Sequence, residues 1–404
     1  MTDMEFPNVP QFIASYQSSI LNSESWVMID SSIAGMSCGG VRVLEDVTLE
    51  EIMALAKAMT KKYSFFGKRM GGGKAGIRLP QKASTEEKKK LLFEFGTRFK
   101  SIIQTSIYIP WTDMNCNQYD ILHIYKGAGY NDIKFQDSSF STALSAFHSI
   151  KAALRYANND IKGKRVAIEG YGGVGRNIAS LLSSVGARIV GFSTLEGAFF
   201  DPGGFSYSVL KDLNDKHSEN LANHLPPSLR ISREDLLTLE VDILIPCARP
   251  WSITNKNLGD IQAKIVVPVS NVPYEQEIEE ILWRNGRILI PDFIANSGGI
   301  MSTNLLNSGI LLNEIETNLY HPFEEMLLQL LIKSKRVGVG PSQIASKIAW
   351  ERFQHSVNYE ESLKERISKK VRSSLPFFHK KEAFKQMRVY QEQLRILINL
   401  IENF

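Results

Sequence analysis

Apolar residues recur along this chain at two different periods. After Thr48, the residues Ile52, Leu55, Ala56, Met59 and Tyr63 fall at helical spacing, and Thr48 to Glu51 reads as a capping box that opens the helix. A second box, Ser84 to Glu87, opens a helix through Leu91, Leu92, Phe95 and Phe99. Between them lies RMGGGKAGIRLP, whose three successive glycines exclude a helix interior and mark a close approach of backbone to something else. SIIQTSIYIP then reads as a short strand ending at the polar turn WTDMN.

From about Phe140 the rhythm changes. STALSAFHSIKAALRYA is helical, KGKRVAIEG is a β-branched run feeding a glycine turn, and NIASLLSSVG is a helix closed by Gly186. ARIVGFS, VDILIPCA, AKIVVPVSN and GRILIPD are compact apolar runs of the kind buried on both faces of a parallel sheet. Strands alternating with helices predict a doubly wound α/β domain. Beyond Gly299 the pattern is helical again. From about His355 a Lys-, Arg- and Glu-rich tail surrounds Leu394, Ile396, Leu397, Leu400 and Ile401, and reads as one or two docked amphipathic helices rather than a nucleic-acid arm.

Composition narrows the classes. The 404 residues allow two or three domains. The 47 Lys and Arg against 43 Asp and Glu leave too small a surplus to argue for nucleic acid or an anionic membrane. Cys38, Cys116 and Cys247 lie far apart, which excludes a disulfide framework and a zinc ribbon, predicts no metal site and fits a reducing cytoplasm. MTDMEFPNVPQF does not have the pattern of a signal peptide, and no apolar run reaches the ~18 residues of a membrane span.

Two blocks carry candidate chemistry. VAIE runs into Gly170, Gly172 and Gly175 of GYGGVG and then into a helix, a dinucleotide-binding turn in its proper strand–turn–helix context, with Gly173 and Val174 supplying further amides at the helix start. The next strand ends in Ser193 and Thr194, with no carboxylate at its tip to accept the ribose hydroxyls. The cofactor reading is therefore NAD or NADP, unless Glu196 reaches back. Lys62 ends an apolar helical stripe and Lys74 follows the three glycines. A lysine on such a platform is partly desolvated, which lowers its pKa toward the range useful for proton transfer, and Asp113 could serve as a second acid/base.

CGGVRV, AMTKKYSFFGKRMGGGKAGI, YIPWTDMN, a Thr-bearing helix, GYGGVG and PDFIANSGGI together resemble the glutamate/leucine/phenylalanine/valine dehydrogenase family, in order and approximate spacing, over about residues 35 to 355. The resemblance implies an α/β protein of two domains. Residues 1–138 would form an N-terminal substrate-binding, catalytic and oligomerisation domain. Residues 139–303 would form a Rossmann-type dinucleotide-binding domain, and 304–404 helices returning to the first domain plus a basic tail. It also implies a catalytic cleft between the domains and a homo-oligomer. By the same resemblance Lys74 is the catalytic lysine, Asp113 shuttles protons, and Lys62 holds the substrate carboxylate beside Gly39 and Gly40. Thr142 and Asn271 lie near the nicotinamide amide and ribose, Ala248 joins the cofactor-binding set, and Asn296 closes the site.

The chain departs from the family pattern in ways that bear on substrate. Glutamate-specific members carry a lysine where Cys38 stands, and a serine where Thr303 stands. A buried substrate carboxylate with no cation is unfavourable by several kcal/mol. The expected substrate is thus a neutral amino acid, branched-chain or aromatic, converted to a 2-keto acid and ammonia. The alternatives are a glutamate dehydrogenase with a rebuilt side-chain pocket in which Arg42 swings in, and a non-catalytic nucleotide-binding relative. Cys38 reads equally as core filling. Ser145 replaces a usual glycine and is expected to crowd the cofactor, and VSN followed by Val272-Pro273 replaces a GAN-type segment.

Overall fold

The structure, a computed structural model, describes Phe6, residues 9–131, Ile133, and residues 137–357 and 380–404. Residues 1–137 with 346–382 make one compact unit, and residues 138–345 with 383–404 make a second. The stretch 304–345 stays with the second unit, and the chain joins the first again only from Ser346.

The first unit holds a five-stranded sheet in the order β1 (Phe12–Gln17), β2 (Glu24–Ile29), β4 (Gly71–Arg78), β3 (Ser37–Leu44), β5 (Ile109–Trp111). β1, β2 and β4 pair antiparallel, while β3 runs parallel to both β4 and β5. Successive side chains of a strand point to opposite faces. One face, with Val27, Ile29, Val41, Val43, Ala75 and Ile77, packs on Leu91, Leu92, Phe95, Ile121 and Ile124 of the helices Thr85–Arg98 and Gln118–Gly127. The other face meets helix α1 (Leu49–Phe65), where Trp26 and Met28 pack with Ile52 and Ala56.

The three glycines are thus the start of a central strand. A Cβ on Gly72 would lie 2.2 Å from the Ala56 carbonyl oxygen of α1, and one on Gly39 would lie 1.6 Å from the Gly73 carbonyl oxygen, so neither position can carry a side chain. SIIQTSIYIP is not one strand: Lys100–Gln104 is helical and only Ile109–Trp111 joins the sheet. The Ser84–Glu87 box forms with both of its hydrogen bonds. At Thr48 the hydroxyl caps the Glu51 amide, but the Glu51 carboxylate is taken by Arg42.

The second unit is built on a seven-stranded sheet. Its order is β12 (Ile288–Leu289), β11 (Ile265–Val266), β10 (Ile243–Pro246), β6 (Arg165–Glu169), β7 (Arg188–Thr194), β8 (Gly197–Phe200), β9 (Arg230–Ile231). β12 through β7 are parallel, and β8 and β9 extend the edge antiparallel. The chain winds outward from β6 first through β7 and later through β10, so the strand order reverses between β6 and β10. Ligands of such sheets bind in the crevice beyond that point. The helix Lys380–Asn403 buries Ala383, Met387, Tyr390, Leu394, Leu397 and Ile401 in this unit, with Tyr390 donating to the Ile300 carbonyl at 2.8 Å. Ile396 is exposed. The rest of the expected tail, 358–379, lies outside the described residues. Among the described residues no helix is long and apolar enough to cross a membrane.

Candidate active site

In the first unit, strand alternation places Cys38, Gly40 and Arg42 of β3 and Gly72, Lys74 and Gly76 of β4 on the face toward α1. Asp113 follows β5 in a tight turn closed by Asp113 N to Cys116 O (3.1 Å) and Cys116 N to Asp113 O (2.9 Å). Gly40 makes room for it, since a Cβ there would lie 2.7 Å from the Asp113 Cβ. The Lys74 ammonium donates to Asp113 Oδ2 at 2.6 Å. Arg42 reaches the same carboxylate with two N–H groups, Nε to Oδ2 and Nη2 to Oδ1, both at 3.2 Å, and gives its Nη1 to Glu51 Oε1.

These are buried charges. Lys74 is 3% exposed and Arg42 4%. Burial holds the Lys74 amine below its ordinary range. The Asp113 carboxylate opposes that shift, and the Arg42 guanidinium adds to it. Burial by itself would raise the Asp113 carboxyl, but Arg42 and then Lys74 outweigh it, leaving the group well below the usual carboxylate range. At neutral pH the resting carboxylate is ionised, and the amine beside it holds its proton less firmly than an ordinary lysine. Lys62 lies buried in the last turn of α1, and α1 is tied to the sheet where Gly72 N donates to Thr60 Oγ1 at 3.2 Å. Cys38 is 8% exposed, and burial pushes its thiol up to about 11, so it is neutral near pH 7.

In the second unit, β6 ends at Glu169 and the chain turns through Gly170, at φ +95°, beside Ala248 of the β10 end. Gly170 N donates to Ser193 Oγ at 2.9 Å, which joins the turn to β7. The helix Gly173–Ser184 begins at Gly172 with no side-chain cap. Its first amides, on Gly173, Val174 and Gly175, are the kind of donors that bind a diphosphate. A Cβ on Gly175 would lie 2.0 Å from the Gly170 carbonyl oxygen, whereas one on Gly172 would meet nothing beyond its chain neighbours within 4 Å among the described residues. The protein's own packing therefore requires glycine at 175 but leaves open space at 172. The residues present fit a dinucleotide. Glu169 was not singled out in the sequence. Burial pushes its carboxyl up to about 7, so below that pH it places little negative charge beside these amides.

The tip of β7 carries no carboxylate. Thr194 is its last residue, and Glu196, in the hairpin turn to β8, accepts from Asn223 Nδ2 at 3.4 Å. Arg233 donates to the carbonyls of Thr194 and Leu195.

Asn271 and Asn296 come together, Asn296 Nδ2 donating to Asn271 Oδ1 at 2.6 Å and to the Val269 carbonyl at 3.1 Å. Ser145 turns its hydroxyl into the protein. Its side chain is fully buried, donates to the Ala295 carbonyl (2.7 Å) and accepts from Gly298 N (2.8 Å), pinning the ANSGG segment to the helix Ser139–Tyr156 that carries Thr142. Thr303 is 3% exposed, and its hydroxyl has no hydrogen-bond partner among the described residues.

Val272 has φ +52°, a left-handed conformation that a β-branched residue rarely adopts. Its backbone is held from both sides, its N–H donating to Asp292 Oδ2 at 2.7 Å and its carbonyl accepting from Trp251 N at 2.8 Å. Relief of strain of about 1–3 kcal/mol, set against glycine's greater freedom in the unfolded chain, predicts that Val272→Gly stabilises the protein by about 1 kcal/mol. Chemical denaturation measures this, and a variant less stable than the parent would show that the valine side chain's packing outweighs the strain.

Residues 13–129 match the model of the Glu/Leu/Phe/Val dehydrogenase dimerisation domain, and residues 136–313 match that of the glutamate/leucine/phenylalanine/valine dehydrogenases. The chain belongs to this dehydrogenase family. It is an oxidoreductase of the class that acts on CH–NH2 donors, in a family that works with NAD or NADP. This dehydrogenase is 33% identical over 283 residues to a glutamate dehydrogenase of Thermotoga maritima, covering 66% of this chain and 68% of that one. It is 33% identical over 282 residues to an NAD-specific glutamate dehydrogenase of Staphylococcus aureus, covering 66% and 67%. Its fold is similar to that of the hetero-hexameric glutamate dehydrogenase of Thermus thermophilus in a Leu-bound form, with a TM-score of 0.73 at 21% identity, covering 86% of this chain and 89% of that one. It is also similar to L-tryptophan dehydrogenase of Nostoc punctiforme, with a TM-score of 0.57 at 21% identity, covering 86% and 97%.

The sequence assigns Glu51 to the capping box alone, and moves Arg42 into the side-chain pocket only in the glutamate dehydrogenase alternative; neither pattern pairs the two. The period-two pattern of SCGGVRVL, which aligns Cys38, Gly40 and Arg42, was a signal that Arg42 belongs to the same face as the lysine. Glu51 was hidden because a capping box accounts for it locally.

Proposed function

We propose that this dehydrogenase oxidatively deaminates a neutral L-amino acid, branched-chain or aromatic, to a 2-keto acid and ammonia, reversibly, as a homo-oligomer. The observation that carries the reading is that neither Cys38 nor Arg42 offers a substrate side-chain carboxylate a free cation. Cys38 is a neutral thiol, and Arg42 is already committed to Asp113 and Glu51. The unpartnered Thr303 hydroxyl supports a modestly polar lining.

In this reading Lys62 holds the α-carboxylate beside Gly39 and Gly40. NAD or NADP, when bound, would supply the acceptor for hydride from the α-carbon, and the substrate would be left as an iminium. Neutral Lys74 takes a proton from the water that attacks it, and its cationic form stabilises the developing oxyanion. Asp113 holds Lys74 and passes protons to the departing amine. The Gly170–Gly175 turn with Ser193, Thr194 and Ala248 would hold the dinucleotide, with Thr142, Asn271 and Asn296 at its nicotinamide end. The bare β7 tip and Arg233 leave a 2′-phosphate unopposed, which supports use of NADP as well as NAD.

Nicotinamide absorbance followed across a panel of amino acids with NAD and with NADP, then with ammonia and 2-keto acids, tests this. Turnover of neutral substrates without glutamate is the expected result, and glutamate as the best substrate overturns it. One observation favours that second reading. The Lys68 ammonium acts on the Cys38 thiol, so it is a cation near the position where the family's lysine is missing. Were glutamate the substrate, Lys68→Met would raise its KM specifically. Nucleotide binding with no turnover of any substrate would point to a non-catalytic relative.

A further inference from the structure

We propose that Arg42, itself fixed by Glu51, is a positioning residue that holds the Asp113 carboxylate and thereby sets how strongly that carboxylate retains the proton of Lys74. The inference rests on the dehydrogenase reading of the site.

The geometry is a line of alternating charges, Glu51, Arg42, Asp113 and Lys74, contributed by α1, β3, the turn after β5, and β4. Asp113 Oδ2 accepts from both Lys74 Nζ and Arg42 Nε, and Oδ1 accepts from Arg42 Nη2. The planar guanidinium therefore orients the carboxylate through two parallel bonds, and shares its charge with the lysine. An oxygen that accepts from two cations holds neither proton as firmly as it would hold one. Glu51 works in the opposite sense. It neutralises the guanidinium from the far side, and its position is set by α1, whose start is capped by Thr48.

The groups acting on Lys74 are Asp113, Arg42 and Glu51, with Cys38 from the adjacent β3. Cys38 and the buried Tyr108, whose hydroxyl donates to the Gly39 carbonyl at 2.9 Å, are both neutral near pH 7. Lys62 on α1 and Lys68 after it are further cations of this region, and none of the substitutions below removes them.

The two outer charges must then move Lys74 in opposite directions. Arg42→Met leaves Asp113 facing Lys74 alone, so the ammonium is retained to higher pH and the limb of the kcat profile that reports lysine deprotonation moves alkaline by about one pH unit. Glu51→Gln leaves the guanidinium unopposed, so the same limb moves acid. Arg42→Lys restores the charge without the fork. Its profile returns toward the parent while kcat stays depressed, because the carboxylate is no longer oriented.

A second readout does not depend on turnover. Competitive acetylation of Lys74 with acetic anhydride, quantified by peptide mass spectrometry across pH in the intact protein, follows the free amine directly. Opposite shifts in the two variants support the proposal. Shifts in one direction, or lowered stability and kcat with an unmoved profile, overturn it and leave Arg42 a packing residue. If Arg42→Met does not fold, the double variant Arg42→Met/Glu51→Gln removes both outer charges and is expected to show the alkaline shift, and its absence overturns the proposal equally. Failure of the dehydrogenase reading appears separately, as a parent protein that turns over no substrate while its acetylation profile is still measurable.

Discussion

Lys74→Ala is expected to lower amino-acid turnover by about 100- to 10,000-fold, the range for removal of a group that transfers a proton in the transition state. Dinucleotide affinity should change little. The reason lies in the ion-pair cluster. Asp113 keeps both of its hydrogen bonds from Arg42 when the lysine is gone, so the buried carboxylate is not orphaned and the local structure survives. The dinucleotide turn, Gly170 to Gly175, belongs to the other unit of the chain. Steady-state kinetics together with fluorescence titration of NAD and NADP would check this. A collapse of cofactor affinity along with turnover would make Lys74 a structural residue and remove the basis for the proton-transfer role.

Asp113→Asn is expected to produce the largest loss of stability of any single change at the site, about 3–5 kcal/mol, because it removes the one carboxylate shared by two buried cations. Glu51 remains for Arg42, but Lys74 loses the carboxylate to which it donates at 2.6 Å. The effect has a pH signature. The folded-state pKa of Asp113 lies below its unfolded value, so its contribution is fully present above the ordinary carboxylate range of about 4 and is lost as pH falls toward the folded value. Urea unfolding at neutral pH should therefore show the full deficit of the variant, and the gap between parent and variant should narrow below about pH 4. A deficit that does not depend on pH in that direction would mean that packing in the Asp113–Cys116 turn, rather than charge, dominates.

Much of the site was legible because its parts are local. Three glycines before Lys74 could be read as a close approach, and the structure supplies the object approached, the α1 backbone at Ala56. The strand–turn–helix context of GYGGVG sufficed for the dinucleotide turn, since each glycine's role depends on neighbours a few residues away. The same locality misled at Glu51, where a capping pattern was complete on paper and the carboxylate went to Arg42 instead. At Ser145 the sequence showed only a side chain in place of a usual glycine, and its two hydrogen bonds to the ANSGG segment come from residues some 150 positions away.

What this sequence determines by itself is the periodicity of its elements, the positions where only glycine fits, and which side chains share a strand face, because those follow from backbone sterics and alternation over a few residues. What only the tertiary structure decides is who meets whom. Arg42 is 71 residues from Asp113, Ser145 is 153 residues from Gly298, and the helix Lys380–Asn403 adds Tyr390 to a carbonyl 90 residues earlier. Those partners are selected by burial, where a charge or hydroxyl removed from water must find its complement wherever the fold brings one. No local pattern records that choice.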